Sequence, residues 1–331
     1  MQHQTPIDFR QARDFGGVMS VTYQFLRQNI KGLAKCLLFF AAPAVLLGNI
    51  FYYEIISQQM KLSGAAYSGS PFGVDEYYVS ANFWMSLLGA LVFMLIGGVS
   101  TVTTTHAYIL KYREKQGAPI DVGEVWKKSR SLFWNTFGAM FFYYCGMSIS
   151  LGLLMIPLAI LIFITSLISP LFSTIAILLY VVALFVLCIY FAMVFFICNK
   201  EDINFFAALG RLTKLTKGKF WNTVGVGAVN VYIHLVFSTL FAIPWYIFIY
   251  VYSLHNISSG PMASQAFWQE AITMFFFMIY SLAGTLLAVL PLTALAMQYF
   301  SLSERLEAKG LLTRIENFGQ QLQVAGQHED Y

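Results

Sequence analysis

The stretch NTFGAMFFYYCGMSISLGLLMIPLAILIFI, residues 135 to 164, is 30 residues long and carries no charged side chain. A helix of this length extends about 45 Å, whereas a bilayer's hydrocarbon core is about 30 Å thick and needs roughly 20 apolar residues to cross it. Asp, Glu, Lys and Arg remain absent from residue 131 to residue 199, which is enough chain for one helix to cross and a second to return. The stretch therefore predicts a transmembrane hairpin.

The whole composition agrees with a membrane protein. Of 331 residues, 58% are apolar and 11% are charged, against roughly 25% charged in an ordinary soluble domain. The fold class that we predict is an all-α polytopic membrane protein with six transmembrane helices, whose excess length is taken up by tilt, by kinks at Pro157, Pro244 and Pro291, or by ends that lie in the headgroups. The six apolar runs that are long enough to span are 33–53, 83–110, 135–164, 171–198, 221–251 and 268–300.

The basic residues predict the orientation. There are 20 Lys and Arg residues, and all except Lys61 fall in the terminal segments or in the connections that would share their side of the membrane. Basic residues accumulate on the cytoplasmic side. We therefore expect an integral membrane protein with both termini in the cytoplasm.

A spaced motif precedes the first, third and fifth runs: Gly, eleven residues, Asn, two residues, Gly. We interpret it as three repeats, each made of an interfacial amphipathic helix and a hairpin of two spans. The predicted boundaries are 1–110, 111–198 and 199–300, followed by a cytoplasmic C-terminal helix and tail at 301–331. The motif residues are Gly17, Asn29 and Gly32, then Gly123, Asn135 and Gly138, then Gly210, Asn222 and Gly225.

The repeated Asn would lie where the surface helix turns into the span. An Asn side chain can bind backbone groups that are freed at a helix start, so we predict a turn motif, with a ligand site as the alternative. A further apolar stripe predicts a terminal surface helix that lacks the motif. It comprises Leu302, Leu306, Leu311, Ile315, Phe318 and Leu322.

Basic side chains on the surface helices are predicted to face lipid. A basic, aromatic amphipathic helix beside a span binds anionic headgroups on the cytoplasmic side, and the basic segments lack any nucleic-acid-binding signature. We expect membrane lipids as partners, with another membrane protein or a second copy as further options, and no nucleic acid. The residues are Lys127, Lys128, Arg130, Lys214, Lys217 and Lys219.

Polar residues inside the spans supply one candidate site. The span centres hold no charged residue, which disfavours ion coupling through buried carboxylates. Asn230 and His234 lie one helical turn apart in the fifth span, with His106 near the cytoplasmic end of the second. They are interpreted either as hydrogen bonds between helices, worth about 0.6 kcal/mol each, or as a substrate or proton site.

The chain lacks the common catalytic and metal-binding sequence patterns. The chain contains neither HExxH nor GxxxxGK[ST], and its His and Cys residues are scattered among apolar neighbours, unlike a metal-ligand set. We therefore predict a non-enzymatic protein with no cofactor and no metal.

The segments RQNIKG (27–32), LFWNTFG (132–138) and KFWNTVG (219–225), each before an apolar hairpin, carry a resemblance. Over residues 15–300 the chain resembles the six-helix membrane domain found beside some bacterial glycerophosphoryl diester phosphodiesterases, and related stand-alone membrane proteins of unknown function. The resemblance implies a bacterial cytoplasmic membrane. That family's catalytic barrel contains a His-Arg-Gly element, and no His in this chain is followed by Arg, so the activity is not expected here.

Two functions follow from the sequence as hypotheses. The first is an accessory or scaffold protein that engages anionic lipids, another membrane protein, or both. The alternative is a transporter or exporter of a lipid-like or small-molecule substrate, with its site near Asn230 and His234.

Overall fold

The computed structural model describes residues 7–67, 74–259 and 267–308, and these residues form helices and no strand. The fold is therefore all-α, as predicted. The helices are α1 Phe15–Phe40, α2 Ala42–Tyr67, α3 Val74–Val79, α4 Ala81–Glu114, α5 Val122–Ile168, α6 Pro170–Glu201, α7 Phe205–Leu215, α8 Phe220–Ser259, α9 Phe267–Leu287 and α10 Val289–Glu307.

Five helical segments are long and apolar enough to cross a membrane, in agreement with the predicted fold class. A sixth is added if α1 and α2, which meet at an angle of 55°, are taken together as one span. The predicted run 33–53 falls on this bend. The five segments are Ala81–Glu114, Val122–Ser166, Pro170–Glu201, Phe220–Val251 and Trp268–Glu307, the last of which covers α9 and α10.

Proline explains where the helices break. Pro43 lies in the first turn of α2, where its missing N–H costs nothing, while the residue before it is disfavoured in a helix. The chain accordingly bends at Ala41. Pro291 likewise lies in the first turn of α10, just after the break at Ala288. By contrast, α5 continues through Pro157.

The fifth helix shows that a surface helix and a span are not always separate elements. It contains 47 residues, which corresponds to about 70 Å, far more than the hydrocarbon core. It passes through Asn135 without a break. α1 passes through Asn29 in the same way and bends only at Ala41. The prediction that the repeated Asn marks a turn is therefore wrong for these two copies.

The third copy is built differently. Here α7 is a separate short helix, and a turn at residues 216–219 leads directly into α8, where Asn222 lies in the first helical turn. Gly218 adopts a φ of +71°, a left-handed conformation that glycine tolerates without steric cost. Neither Asn29 nor Asn135 is preceded by a left-handed residue inside its helix, so those helices are continuous.

Other side chains perform the capping that was assigned to the repeated Asn. Asp14 begins α1 by accepting a hydrogen bond from the Gly17 N–H, and Asp121 begins α5 by accepting one from the Gly123 N–H. Asn204 does the same for α7. Asp and Asn are preferred at this position because their oxygens pair with N–H groups that the helix leaves free.

The core is concentrated at the end of the bundle where the basic residues lie, which we call the basic end. Every residue is buried in 101–110 of α4, 193–199 of α6 and 293–302 of α10. Aromatic contacts join the three helices, with the Phe196 ring centroid 5.0 Å from His106 and 5.3 Å from Phe300. α4, α6 and α10 therefore form a central trio that the other helices surround.

Away from the basic end the helices diverge, and apolar side chains point outward. On α5 and α6, Leu153 and Leu179 are both well exposed, as expected for side chains that face lipid tails. An exception is the pair α2 and α4, which approach closely because Gly97 has no side chain. A Cβ there would lie 2.7 Å from Val45 Cγ2. Gly97 therefore allows α2 and α4 to pack closely.

Candidate functional site

The two FWNT segments are placed in the same way. In both, the Phe and Asn are half-buried, the Thr is buried and the Trp is exposed. Trp134 and Trp221 have 75% and 74% of their surface exposed. Tryptophan is enriched at membrane–water interfaces, because its ring is apolar and its N–H is polar. Both tryptophans therefore suit a position at headgroup level near the basic end.

The second copy uses its Asn and Thr to bind the returning helix of its hairpin. Asn135 Nδ2 donates to the backbone carbonyls of Cys198 at 3.1 Å and Ile203 at 3.4 Å. Thr136 Oγ1 donates to Asn199 Oδ1 at 2.8 Å. These bonds connect α5 to the end of α6 and satisfy backbone carbonyls that the helix leaves free there.

His106 belongs to the same cluster. Its Nδ1 lies 2.9 Å from Asn199 Nδ2. Because the amide N–H donates, Nδ1 accepts and the ring proton resides on Nε2. Thr136, Asn199 and His106 thus form a buried chain in which each member has a partner. The sequence grouped His106 with Asn230 and His234, but its hydrogen bond joins it to α6 instead.

The other two copies make comparable contacts. In the third, Gln298 Nε2 of α10 donates to Thr223 Oγ1 at 3.1 Å and to Asn222 Oδ1 at 3.4 Å. In the first, Tyr108 Oη of α4 donates to Asn29 Oδ1 at 3.3 Å. Each repeated Asn therefore contacts a helix of the central trio. We call this set of contacts, with His106, the amide layer.

The glycines of the motif do not share one role. A Cβ on Gly32 would lie 2.5 Å from Tyr108 Oη, so this glycine is required for the Asn29 contact. Cβ atoms on Gly138 and Gly210 would meet nothing within 4 Å, and one on Gly225 would lie 3.4 Å from Phe15. Gly17 and Gly123 donate their N–H groups to the capping residues described above.

Asn230 and His234 lie on one face of α8, as predicted, but they are not fully paired. Asn230 Nδ2 donates to the Val226 carbonyl at 2.8 Å and lies 3.2 Å from Met19 Sδ, while its Oδ1 has no partner among the described residues. His234 binds the backbone of Leu287, and its Nδ1 likewise has no partner there. Neither shares a hydrogen bond with His106.

The break before α10 explains the His234 contact. In a helix the carbonyl of Leu287 would accept from the N–H of residue 291, but Pro291 has none. The carbonyl is therefore free, and His234 Nε2 donates to it. We call Asn230, His234 and the nearby unpaired Ser238 the open polar face of α8. Sequence reasoning found the first two residues and missed Ser238, although it continues the four-residue spacing.

A basic cleft lies between the end of α4 and the start of α5. Its volume is about 360 Å³. Lys111 and Lys115 pair with Glu114 and Glu124 at 2.6 and 2.7 Å. Lys127 and Lys128 form no ion pair within the described part of the chain, so four lysines face two carboxylates. The lining residues are Lys111, Glu114, Lys115, Glu124, Lys127, Lys128 and Ser131.

The predicted lipid-facing residues divide into two groups. Lys127 and Lys128 line the basic cleft, whereas Arg130 is exposed outside it. Lys214, Lys217 and Lys219 are exposed at the end of α7 and in the following turn. Sequence reasoning missed Lys111 and Lys115, which are spaced by one helical turn at the end of α4, a pattern that places both side chains on one face.

A separate network of ion pairs joins α6, α7 and α10 at the basic end. Arg211 of α7 donates to Glu201 of α6 at 2.9 Å and also to Glu307 of α10. Tyr299 Oη donates to the same Glu201 oxygen at 2.7 Å. Burial lowers the pKa of Arg211, but hydrogen bonds to the two carboxylates raise its pKa by more, so it ends above the ordinary value. The network fastens α7 to the central trio.

The remaining predictions have these outcomes. Within the described residues, no group of three His, Cys, Asp or Glu side chains is placed to hold a metal ion. Of the apolar C-terminal stripe, Leu302 and Leu306 lie in α10, and 311–322 lies outside the described ranges. No protein-family model, no curated protein and no solved structure matches the chain.

Proposed function

We propose that this chain is a non-enzymatic scaffold or accessory protein of a bacterial cytoplasmic membrane, and that its basic cleft binds the phosphate of anionic lipids. The observation that carries this proposal is the charge of the cleft. Two of its four lysines pair with its two glutamates, and Lys127 and Lys128 keep their charges for a ligand. A lipid phosphate supplies the missing negative charge.

The surroundings of the cleft fit a lipid better than a soluble anion. Trp126, on the same turn of α5 as Lys127, is 47% exposed and packs on Phe40 with ring centroids 4.8 Å apart. Trp134 lies two turns further along the helix and is also exposed. Aromatic rings at this level pack against the glycerol and upper acyl region, while nearby lysines reach the headgroup.

The orientation is part of the proposal. With the basic end in the cytoplasm, both described ends of the chain and the cleft face the leaflet whose anionic lipids attract basic residues. The same arrangement leaves Trp134 and Trp221 at the cytoplasmic interface. A membrane-protein partner or a second copy of the chain would bind the exposed apolar surfaces of α5 and α6.

Three repeats are also part of the proposal, each with a surface helix and a hairpin, over 1–110, 111–198 and 199–300. Two features support it: the contact of each repeated Asn with a central helix, and the placement of α4, α6 and α10, one from each proposed repeat, at the centre of the basic end. The resemblance to the membrane domain that accompanies phosphodiesterases is proposed on the same basis.

The test compares two charge reversals of equal size. The chain is reconstituted in nanodiscs with equal amounts of phosphatidylglycerol and phosphatidylcholine, and bound lipid is counted by native mass spectrometry. We expect phosphatidylglycerol to be enriched on the unmodified protein. Because each basic residue near the surface contributes about 1 kcal/mol, Lys127→Glu with Lys128→Glu should reduce this enrichment at least tenfold.

The matched control is Lys214→Glu with Lys217→Glu, which makes the same charge change at the same end but outside the cleft. It should keep most of the enrichment. Equal losses in both variants would show that charge is sensed diffusely and would reject the cleft as the site. A transporter remains the alternative, and the observation that favours it is the open polar face of α8.

A further inference from the structure

Unpaired polar atoms gather around the break between α9 and α10. They are Asn230 Oδ1, His234 Nδ1 and Ser238 Oγ, all on α8, and none of them has a partner among the described residues. Asn230 is fully buried, and Ser238 is 6% exposed. The cluster lies inside helices that are apolar enough to cross a membrane.

Helix register places the open polar face of α8 opposite the break between α9 and α10. α8 runs antiparallel to α9 and α10, because Thr223 pairs with Gln298 and, further along, Trp245 packs on Phe277 with ring centroids 5.1 Å apart. Between these contacts lie the open polar face and the break. Gly284 carries no side chain toward Ser238, since a Cβ there would come within 4.0 Å of Ser238 Oγ.

Such a cluster is energetically costly if it stays dry. An unpaired polar atom buried away from water costs about 1 to 3 kcal/mol, and native proteins leave few of them. The amide layer shows that this chain pairs its buried amides elsewhere. Three unpaired atoms along one face of α8, opposite this break, therefore indicate that a further molecule supplies their hydrogen bonds.

The chemistry of the cluster restricts that molecule. Because His234 Nε2 donates to Leu287, its Nδ1 is an acceptor, as is Asn230 Oδ1. The occupant must therefore donate at least two hydrogen bonds. Residues 220–251 and 271–303 contain no charged side chain, so an ion would lack a counter-charge in a medium of low dielectric. A neutral O–H donor meets both requirements.

The spacing of the polar residues on α8 agrees with a single O–H group placed between neighbouring residues. Residues four apart on α8 are separated by about 6 Å along the helix, which is close to the length of two O–H···O bonds of roughly 2.8 Å placed end to end. One oxygen atom between neighbouring groups would therefore reach both. Buried waters typically make about three such bonds to otherwise unpaired polar groups.

We propose that the open polar face of α8 is a hydrated site within the membrane that binds neutral hydroxyl groups, supplied by water or by a small polyol that displaces it. The site differs from the basic cleft in its residues, its depth and its ligand. At this site a neutral solute that forms hydrogen bonds is held between lipid-facing helices.

The experiment uses two histidines of the same protein as test and control. The full chain, labelled with ¹⁵N-histidine, is placed in bilayers, and transfer of magnetisation from water protons to each imidazole is measured by solid-state NMR. His234→Gln and His106→Gln assign the signals. We expect the His234 signal to build up several-fold faster than that of His106, whose Nδ1 is already paired with Asn199.

A second variant tests whether the lining side chains hold the water. Asn230→Leu with Ser238→Ala removes two of them and should slow the His234 build-up to the rate of His106, without changing His106 itself. Added glycerol distinguishes the two sources. A slower build-up with a shifted Nδ1 signal identifies a polyol site, whereas an unchanged signal identifies water as the occupant. Equal build-up at the two histidines in the unmodified protein would overturn the proposal.

Discussion

The amide layer and the open polar face use the same kinds of side chain inside the same bundle. The amide layer is closed, in the sense that its polar groups pair with one another, and the open polar face is not. In the amide layer, Asn199 serves both Thr136 and His106, and all three are paired. On the open polar face, Asn230 turns its N–H toward its own helix and leaves Oδ1 unpaired. A buried amide is therefore not by itself evidence of a site.

The difference arises from what lies opposite each amide. Asn199 and Gln298 face Thr residues of neighbouring helices, so that donor and acceptor meet directly. His234 faces the region where Pro291 interrupts the helix and leaves a carbonyl without its usual donor, and Asn230 lies one helical turn before it, beside Met19 of α1. Paired groups stabilise the bundle, whereas unpaired groups at an interrupted helix remain open to a ligand.

The largest expected effect comes from removing the centre of the amide layer. Asn199→Leu keeps the branching of the side chain but leaves Thr136 and His106 unpaired. At about 1 to 3 kcal/mol for each buried unpaired group, we expect the free energy of unfolding to fall by about 3 kcal/mol. The measurement is reversible unfolding of the purified protein in mixed detergent micelles.

Its counterpart on the open polar face is Asn230→Leu. This change removes an acceptor that has no partner among the described residues, so the loss should be below about 1 kcal/mol. If the two Leu variants lose equal stability, the distinction between a closed layer and an open face does not hold.

An intermediate effect is expected from Gly32→Ala. The new Cβ would lie 2.5 Å from Tyr108 Oη, so α1 and α4 must separate and the Asn29 contact is lost, at a cost of about 1 to 3 kcal/mol. Gly138→Ala is the matched change in the second copy, where a Cβ meets nothing within 4 Å. It should stabilise the helix by about 0.5 to 1 kcal/mol. Thermal unfolding of both variants checks the opposite signs, and destabilisation by both would contradict the assigned contacts.

The smallest effect on stability, and the most specific one on hydration, is expected from Pro291→Ala. The new N–H would compete with His234 for the Leu287 carbonyl and straighten the junction of α9 and α10. We expect little change in unfolding, but a several-fold slower transfer from water to His234 in the NMR measurement. Pro157→Ala, in the uninterrupted helix α5, should leave the His234 signal as it is. An unchanged His234 signal in Pro291→Ala would show that hydration of the site does not depend on the break between α9 and α10.

Much of the fold could be predicted because the length and composition of each apolar segment decide locally whether it forms a long helix. The charge-free stretch from residue 131 to residue 199 is indeed two long helices, α5 and α6, joined at Ser169. The role of Asn135 could not be predicted in the same way. Its partners, Cys198 and Ile203, are more than 60 residues away in the chain, and the spacing of the motif contains no information about them.

The candidate site was predictable only in part, for the same reason. The four-residue spacing placed Asn230 and His234 on one face of α8, because helix geometry fixes this within a single element. His106 was assigned to the wrong neighbours, since no property of α4 alone indicates that Asn199 lies opposite it. The basic cleft needed the end of α4 to meet the start of α5 before Lys111 and Lys127 could be seen together.

The sequence by itself predicted an all-helical protein, segments that are long and apolar enough to cross a membrane, and span centres that carry no charge, because these properties depend on each segment and its solvent alone. The tertiary structure decided which polar groups are paired, where the same motif continues a helix or ends it, and which lysines share a cleft. Those outcomes depend on the side chain opposite, and only the packing of distant helices determines which one that is.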